Sequence, residues 1–265
     1  MVVQVRRPIT RTPINSVHYT QTKDERAQRV NPPDFEQSLP IPSAALVVIP
    51  AFNEGGGIAE VLRRTRSRFS AVVVVDDGST DDTAAMARAE GVEVIRHPVN
   101  LGQGAALQTG FSWALEQGAQ WVITLDSDGQ HDPDDAVALL HLAHREGWDA
   151  ALGSRFMGRT EDMPASRRAL LRAALRFQNL TSGLKLTDVH NGLRVLSRAA
   201  LQRIHLRQDR MAHASEIISQ LAQSGLRVGE GPVTIRYTAY SMAKGQSALG
   251  ALNILIDLFM ARLGR

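Results

Sequence analysis

Three short apolar runs, each broken off by polar or acidic residues, constrain this 265-residue chain more than anything else in it. Residues 44–50 read AALVVIP, 71–75 read AVVVV and 120–125 read QWVITL. Continuous apolar runs of this length predict strands buried on both faces, as in a parallel sheet. Between and after them lie helical patterns at 57–69, 80–90 and 104–117, the last two closed by Gly91 and Gly118. Residues 92–96 predict a further strand. Asp132-Pro133 places an N-cap before a proline at the first helical position, so a helix runs from there to Glu146. Residues 148–152 predict a fifth strand. Strands alternating with helices at this spacing predict an α/β fold, Rossmann-like, with a mostly parallel sheet and helices on both faces.

The pattern loosens downstream. Residues 166–180 read as a strongly basic helix, 193–197 as a short strand and 199–204 as a short helix. Residues 212–224 form a helix ended by Gly225, and 226–237 are strand material. At 248–265 an amphipathic C-terminal helix is predicted, with Leu249, Leu252, Leu255, Ile256, Phe259, Met260 and Leu263 at helical spacing. Asn253 and Asp257 interrupt it, so it should not span a bilayer. It either packs on its own domain, pairs two subunits in a homodimer, or lies in the membrane surface as a peripheral anchor. Residues 1–43 carry six of the eleven prolines and no hydrophobic period, which predicts a flexible Pro-rich arm. The organisation expected is therefore an arm at 1–43, one catalytic-sized domain at 44–247 and a helix at 248–265.

Composition excludes several classes. A net charge of +3 is too mild to argue for a nucleic-acid partner. The absence of Cys removes disulfides, thiolate metal sites and thiol nucleophiles. No apolar run reaches the roughly 18 residues of a spanning helix, and the first 30 residues hold no signal-type stretch. The expected compartment is the cytoplasm, with peripheral contact to the inner face of the membrane.

In open α/β sheets ligands bind beyond the carboxyl ends of the strands. Here the first run ends in Pro50-Ala51-Phe52-Asn53-Glu54, the second in Asp76-Asp77-Gly78-Ser79 and the fourth strand in Asp126-Ser127-Asp128. All three clusters fall on one rim. Asp81, Asp82 and Asp132 read as helix-capping residues. Asp126 and Asp128 are different: two carboxylates one residue apart in a turn repel each other unless they converge on a hard cation.

The segments PAFNE at 50–54, VVDDGSTDDT at 74–83, NLGQGAALQTG at 100–110, LDSDGQHDP at 125–133 and GSR at 153–155 occur in this order. Together they resemble family 2 of the nucleotide-sugar glycosyltransferases, the inverting GT-A group, and within it the dolichyl-phosphate mannosyltransferase-like enzymes. The resemblance spans about residues 44–247. It implies a GT-A fold and a nucleoside-diphosphate-sugar donor. It implies that Pro50, Ala51, Asn53, Glu54, Asp76 and Asp77 hold the nucleoside. It also implies that Asp126 and Asp128 are a DxD motif for Mg²⁺ or Mn²⁺, with Gln130 adding an oxygen ligand or binding phosphate. Gly102 and Gly104 precede a helix and would let backbone approach the donor. His131 reads equally as a base and as a structural residue beside the N-cap.

An acceptor in the form of polyprenyl phosphate brings its own anionic oxygen, so positioning and cations replace a strong base. Arg155 matches a family position near the phosphates. Arg168, Arg172 and Arg176 repeat every four residues on one helix face, with Arg167 beside them: a solvated basic face, or a face for headgroups and the acceptor phosphate. The stretch TDVHNGLRVLSR at 187–198 resembles the family's acceptor-side region through Asp188, Asn191 and Arg194. The late Gly-x-Ser loop is KGQS at 244–247, where the family's usual Arg is missing and Lys244 or Arg236 would substitute. Transfer to a sugar hydroxyl of a lipid-linked or surface glycan is the alternative, with Glu216 as its base. A catalytically dead donor-binding scaffold is the reading outside enzymes. Nucleotidyltransfer would need a Gly-rich basic loop after the first strand, which PAFNE is not.

Overall fold

The computed structural model describes residues 44–157, 175, 184, 186–188, 191–207 and 212–236. The Pro-rich arm, the arginines at 167, 168, 172 and 176, Lys244 and the C-terminal segment 248–265 lie outside the described residues.

Among the described residues seven strands form one sheet. β1 is Ala45–Ala51, β2 Val72–Asp76, β3 Glu93–Arg96, β4 Trp121–Thr124, β5 Ala150–Ser154, β6 Arg194–Ser197 and β7 Val228–Pro232. Their spatial order is β3-β2-β1-β4-β6-β5-β7. The helices are α1 (Ile58–Arg66), α2 (Thr83–Ala89), α3 (Gln103–Glu116), α4 (Pro133–Glu146), α5 (Arg198–Leu201) and α6 (Ala212–Gln223). β1 pairs in parallel with both β2 and β4, which fixes the three acidic strand ends on one rim.

The apolar runs are continuous because β1 and β2 are covered on both faces. Val47, Ile49, Val72 and Val74 pack on one side with Ile58 and Leu62 of α1 and Leu139 and Leu140 of α4. Their neighbours Leu46, Val48, Val73 and Val75 pack on the other with Leu107 and Phe111 of α3 and Ile217 and Leu221 of α6. Alternate residues of each strand thus serve two separate cores.

Helix α3 lies unusually close to β1. A Cβ placed on Gly110 would sit 2.3 Å from Cγ1 of Val48, a fully buried residue of stiff rotamer. A glycine inside an exposed helix is normally worse than alanine by about 1 kcal/mol. Here the sign reverses: Gly110→Ala is expected to destabilise the fold by about 1–3 kcal/mol through overpacking. Urea denaturation checks it, and a variant as stable as the parent or more so would contradict this packing.

Two features differ from the sequence expectation. β6 is antiparallel to both neighbours, with Thr124 opposite Arg194 and Leu152 opposite the same residue. An apolar alternation carries no direction, so the run at 193–197 predicts a strand but not its polarity. The reversal has a consequence: the start of β6, not its end, lies beside the carboxyl ends of β4 and β5, bringing 191–194 to the acidic rim. The second difference is that the strand material at 226–237 stops at Pro232, which has no N–H for a ladder. Beyond it, Ile235 makes an isolated antiparallel bridge with His131.

Candidate active site

The donor-side rim is stitched from two loops. After β1, Asn53 takes a left-handed conformation, φ 53°. Its N–H donates to Ser79 Oγ at 2.9 Å, and its Oδ1 accepts from Thr80 N–H at 2.9 Å. Glu54 N–H donates to Thr83 Oγ1 at 2.7 Å, and Gly55 N–H to Asp81 Oδ2 at 3.0 Å. Asp81 therefore does more than cap: its Oδ1 accepts from Thr83 N–H while Oδ2 ties the first loop to the second. Asp82, at the formal N-cap, makes no side-chain cap bond, whereas Asp132 caps α4 through Asp134 N–H as expected.

Asp76 and Asp77 divide their work. Asp76 is fully buried, and its Oδ1 accepts from Ser79 N–H. Its Oδ2 lies 3.1 Å from Arg96 Nε, but the approach is too oblique for a hydrogen bond, leaving this buried oxygen an open acceptor position. Asp77 is fully engaged. It accepts from Leu101 N–H at 2.9 Å and Gly102 N–H at 2.7 Å, and pairs with His97 Nδ1 at 2.7 Å. His97 Nε2 in turn meets Thr109 Oγ1 of α3. The Asp77 carboxylate thus holds the loop that leads into α3, where Gly102 has φ 95° and Gly104 is buried in the first turn.

The carboxylate pair sits at the end of β4. Asp126 Oδ1 accepts from Gln103 Nε2 at 3.1 Å, and Oδ2 pairs with His131 Nε2 at 3.1 Å. Its side chain keeps 32% of its surface exposed, so it faces the cleft. Burial raises its pKa, but the His131 hydrogen bond and the positive charges of His131, Arg194 and His213 win, holding it down at about 2. Asp128 goes the other way. Burial, then the Asp126 charge, push it up to about 6, against the pull of the Gln130 N–H bond and His131. Two carboxylates, one of them penalised for carrying charge, offer the oxygen donors that a hard divalent cation prefers. Among the described residues no group of three His, Asp or Glu side chains converges. Gln130 donates its N–H to Asp128 Oδ1 and accepts from Arg236 N–H, and its side-chain amide makes no hydrogen bond among the described residues. His131 is 7% exposed, and its Nε2 faces Asp126 Oδ2.

Just after β5, Arg155 is 8% exposed, and its Nε and N–H both donate to Asp188 Oδ2, at 2.6 and 3.1 Å. Arg194 is 3% exposed, and its guanidinium makes no hydrogen bond or close ion pair among the described residues. Burial lowers its pKa, while the charges of Asp126 and Asp188 raise it. Asn191 is buried, its Oδ1 accepting from Leu193 N–H. Arg236, half exposed, pairs with Asp132 at 2.8 Å through one guanidinium nitrogen. Glu216 accepts from Arg207 N–H and Gln220 Nε2, so it braces α6 against the 205–207 turn.

Gln103, His97, Glu230 and Gly192 were not singled out from the sequence. The last is decisive: a Cβ on Gly192 would lie 2.0 Å from Asp126 Oδ2. The carboxylate rests directly on the backbone of the residue before β6.

The sequence pattern described as Glycosyl transferase family 2 matches residues 46–205. An uncharacterized protein of Methanocaldococcus jannaschii is 40% identical over 82% of this chain and 91% of its own length. The UDP-N-acetylglucosamine–dolichyl-phosphate N-acetylglucosaminyltransferase of Methanococcus voltae is 30% identical over 83% of this chain and 96% of its own. The polyprenol monophosphomannose synthase of Mycolicibacterium smegmatis is 30% identical over 75% and 80%. Among solved structures, glucosyl-3-phosphoglycerate synthase from Mycobacterium tuberculosis, in complex with Mn²⁺, UDP and phosphoglyceric acid, superposes with a TM-score of 0.60 at 18% identity, over 82% of this chain and 78% of that one. That likeness establishes the fold. Among the described residues no helix is long and apolar enough to cross a membrane.

Proposed function

The chain belongs to glycosyl transferase family 2, and from that premise we propose that it moves a sugar, with inversion, from a nucleoside-diphosphate sugar to a polyprenyl phosphate. The observation that carries the reading is the composition of the rim: a carboxylate pair at the end of β4 with two buried arginines close by, Arg194 at the start of β6 and Arg155 just after β5.

In this reading Pro50, Ala51, Asn53, Glu54 and Asp76 line the nucleoside pocket. As a carboxylate, Asp76 suits a base N–H or a ribose hydroxyl. Asp77 contributes by fixing the loop before α3, whose first turn at Gly104 approaches the diphosphate. Asp126 and Asp128, with the Gln130 side chain beside them, would hold a divalent cation, Mg²⁺ or Mn²⁺, which would supply positive charge to offset that of the nucleoside-diphosphate leaving group. The acceptor oxygen is already anionic, so the protein need only orient it and offset its charge, through Arg155 and Arg194 and, outside the described residues, Arg168, Arg172 and Lys244. The carboxylate a hydroxyl acceptor would require as base, Glu216, is engaged in bracing α6, which favours the phosphate. The basic segment and 248–265 would bring this rim to the membrane surface, on its cytoplasmic face, as a peripheral contact.

The test is nucleotide release from a panel of UDP-, GDP- and dTDP-sugars with Mn²⁺, before and after addition of farnesyl phosphate. Release that depends on the lipid phosphate, with a product labile to mild acid, is expected. An acid-stable product, or release that depends instead on an added glycan hydroxyl, would replace the phosphate acceptor with a sugar one.

A further inference from the structure

We infer that Glu230 is a positioning residue that sets Arg155 for the acceptor phosphate; the inference rests on the role proposed above for Arg155. Glu230 stands on the edge strand β7, opposite Leu152 of β5, two residues before that strand ends at Ser154. Both its oxygens are used. Oε2 accepts from Thr187 N–H at 2.7 Å and Oε1 from Asp188 N–H at 3.0 Å. Asp188 then takes the Nε and N–H of Arg155, while Thr187 Oγ1 pairs with Ser154 Oγ at 2.6 Å. The chain of contacts is closed: β7 holds residues 187–188, and these hold the end of β5.

The consequence for Arg155 is geometric. A guanidinium is a planar fork, and fixing Nε fixes the plane and aim of the whole group. Asp188 can do this only if its own backbone is held, and Glu230 holds it at two adjacent N–H groups. The sheet itself has no need of an acid there. Burial and the neighbouring Asp188 charge push the Glu230 pKa up, and the N–H bonds from 187 and 188 pull it back. A carboxylate kept in that setting has one distinguishing ability: it offers an acceptor oxygen to each of the two N–H groups, whereas glutamine would turn an NH2 donor towards one of them and an apolar residue would offer neither.

The measurement is titration of farnesyl phosphate into the full chain with saturating Mn²⁺, with Mn²⁺ affinity and unfolding temperature read alongside. Glu230→Gln is expected to weaken farnesyl phosphate binding about tenfold through misplacement of Arg155, with Mn²⁺ affinity unchanged. Arg155→Ala is expected to weaken it at least as much, and the double variant no more than Arg155→Ala alone, since both act through one contact. Glu230→Asp keeps the charge but falls one methylene short, so it should lie between parent and Gln; it serves if Glu230→Gln folds poorly. Amide exchange at 187 and 188 should rise with the loss of binding. Parent-like binding in both Glu230 variants while Arg155→Ala is impaired overturns the inference alone, as do additive losses in the double variant. Parent-like binding in Arg155→Ala overturns the role of Arg155 itself.

Discussion

Asp128→Asn is expected to abolish turnover and, in the absence of metal, to make the protein more stable at pH 7. The two effects have one cause. Asp128 ordinarily would titrate near 3.8, but burial and the charge of Asp126 raise it to about 6. An acid whose pKa is raised by folding binds its proton more tightly in the native state. Stability therefore falls as pH rises between those two values, and the penalty is complete above the upper one. Two units correspond to about 3 kcal/mol, and partial exposure of the site reduces this to roughly 1–2 kcal/mol. Asparagine keeps the shape and can still accept from Gln130 N–H, but carries no charge to penalise. Asp126 has the opposite sign: its depressed pKa adds stability above its ordinary value, lost only as pH falls towards about 2. The parent should accordingly bind Mn²⁺ weakly below about pH 6, where a proton competes for Asp128. Calorimetry of both proteins in EDTA, with an Mn²⁺ titration from pH 5 to 8, checks each part. A less stable metal-free variant, or Mn²⁺ binding in the parent that does not change over that range, would remove the electrostatic account of the pair.

That stored penalty is also why the pair was legible in sequence. Folding alone gives no reason to end a doubly buried strand in two carboxylates, so Asp126 and Asp128 announce a ligand. The same holds for Asp76 and Asp77, although the structure separates them, with Asp77 engaged in holding the loop before α3. The core strands were legible because β1, β2 and β4 are apolar on both faces. What could not be read were partners far apart in the chain. His97 lies 20 residues from Asp77, Gln103 lies 23 from Asp126, and Glu230 lies 42 from Asp188. Each is an ordinary polar residue at an ordinary position, and only the topology makes it specific. The reversed strand β6 matters most here, because its direction decides which of its ends meets Asp126, and nothing in RVLS encodes that direction.

Gly192 shows what that reversal costs to miss. It sits in the stretch 187–198 between two residues assigned to the acceptor side, and a glycine beside Asn191 reads as a turn. Its backbone has no left-handed φ, so alanine is conformationally acceptable there. The obstacle is instead the Asp126 carboxylate, whose Oδ2, Cγ and Oδ1 lie 2.0, 2.4 and 2.5 Å from where a Cβ would stand. The carboxylate is also held on its other sides, by Gln103 at Oδ1 and by His131 at Oδ2. The backbone beneath is fixed too, because Gly192 C=O accepts from Thr124 Oγ1 at 2.5 Å. A methyl group at 192 must therefore displace Asp126 by an ångström or more. Misplacement of that size in a catalytic constellation costs about a hundredfold in rate. Gly192→Ala is thus expected to lose about that factor in turnover and to weaken Mn²⁺ binding, seen by electron paramagnetic resonance, while unfolding cooperatively like the parent. Relieving the crowding by Asp126→Gly in the same chain should not restore metal binding, since the ligand itself is then gone. If Gly192→Ala retains both parental Mn²⁺ affinity and parental turnover, Asp126 has room the packing denies it, and the seat of the carboxylate pair lies elsewhere.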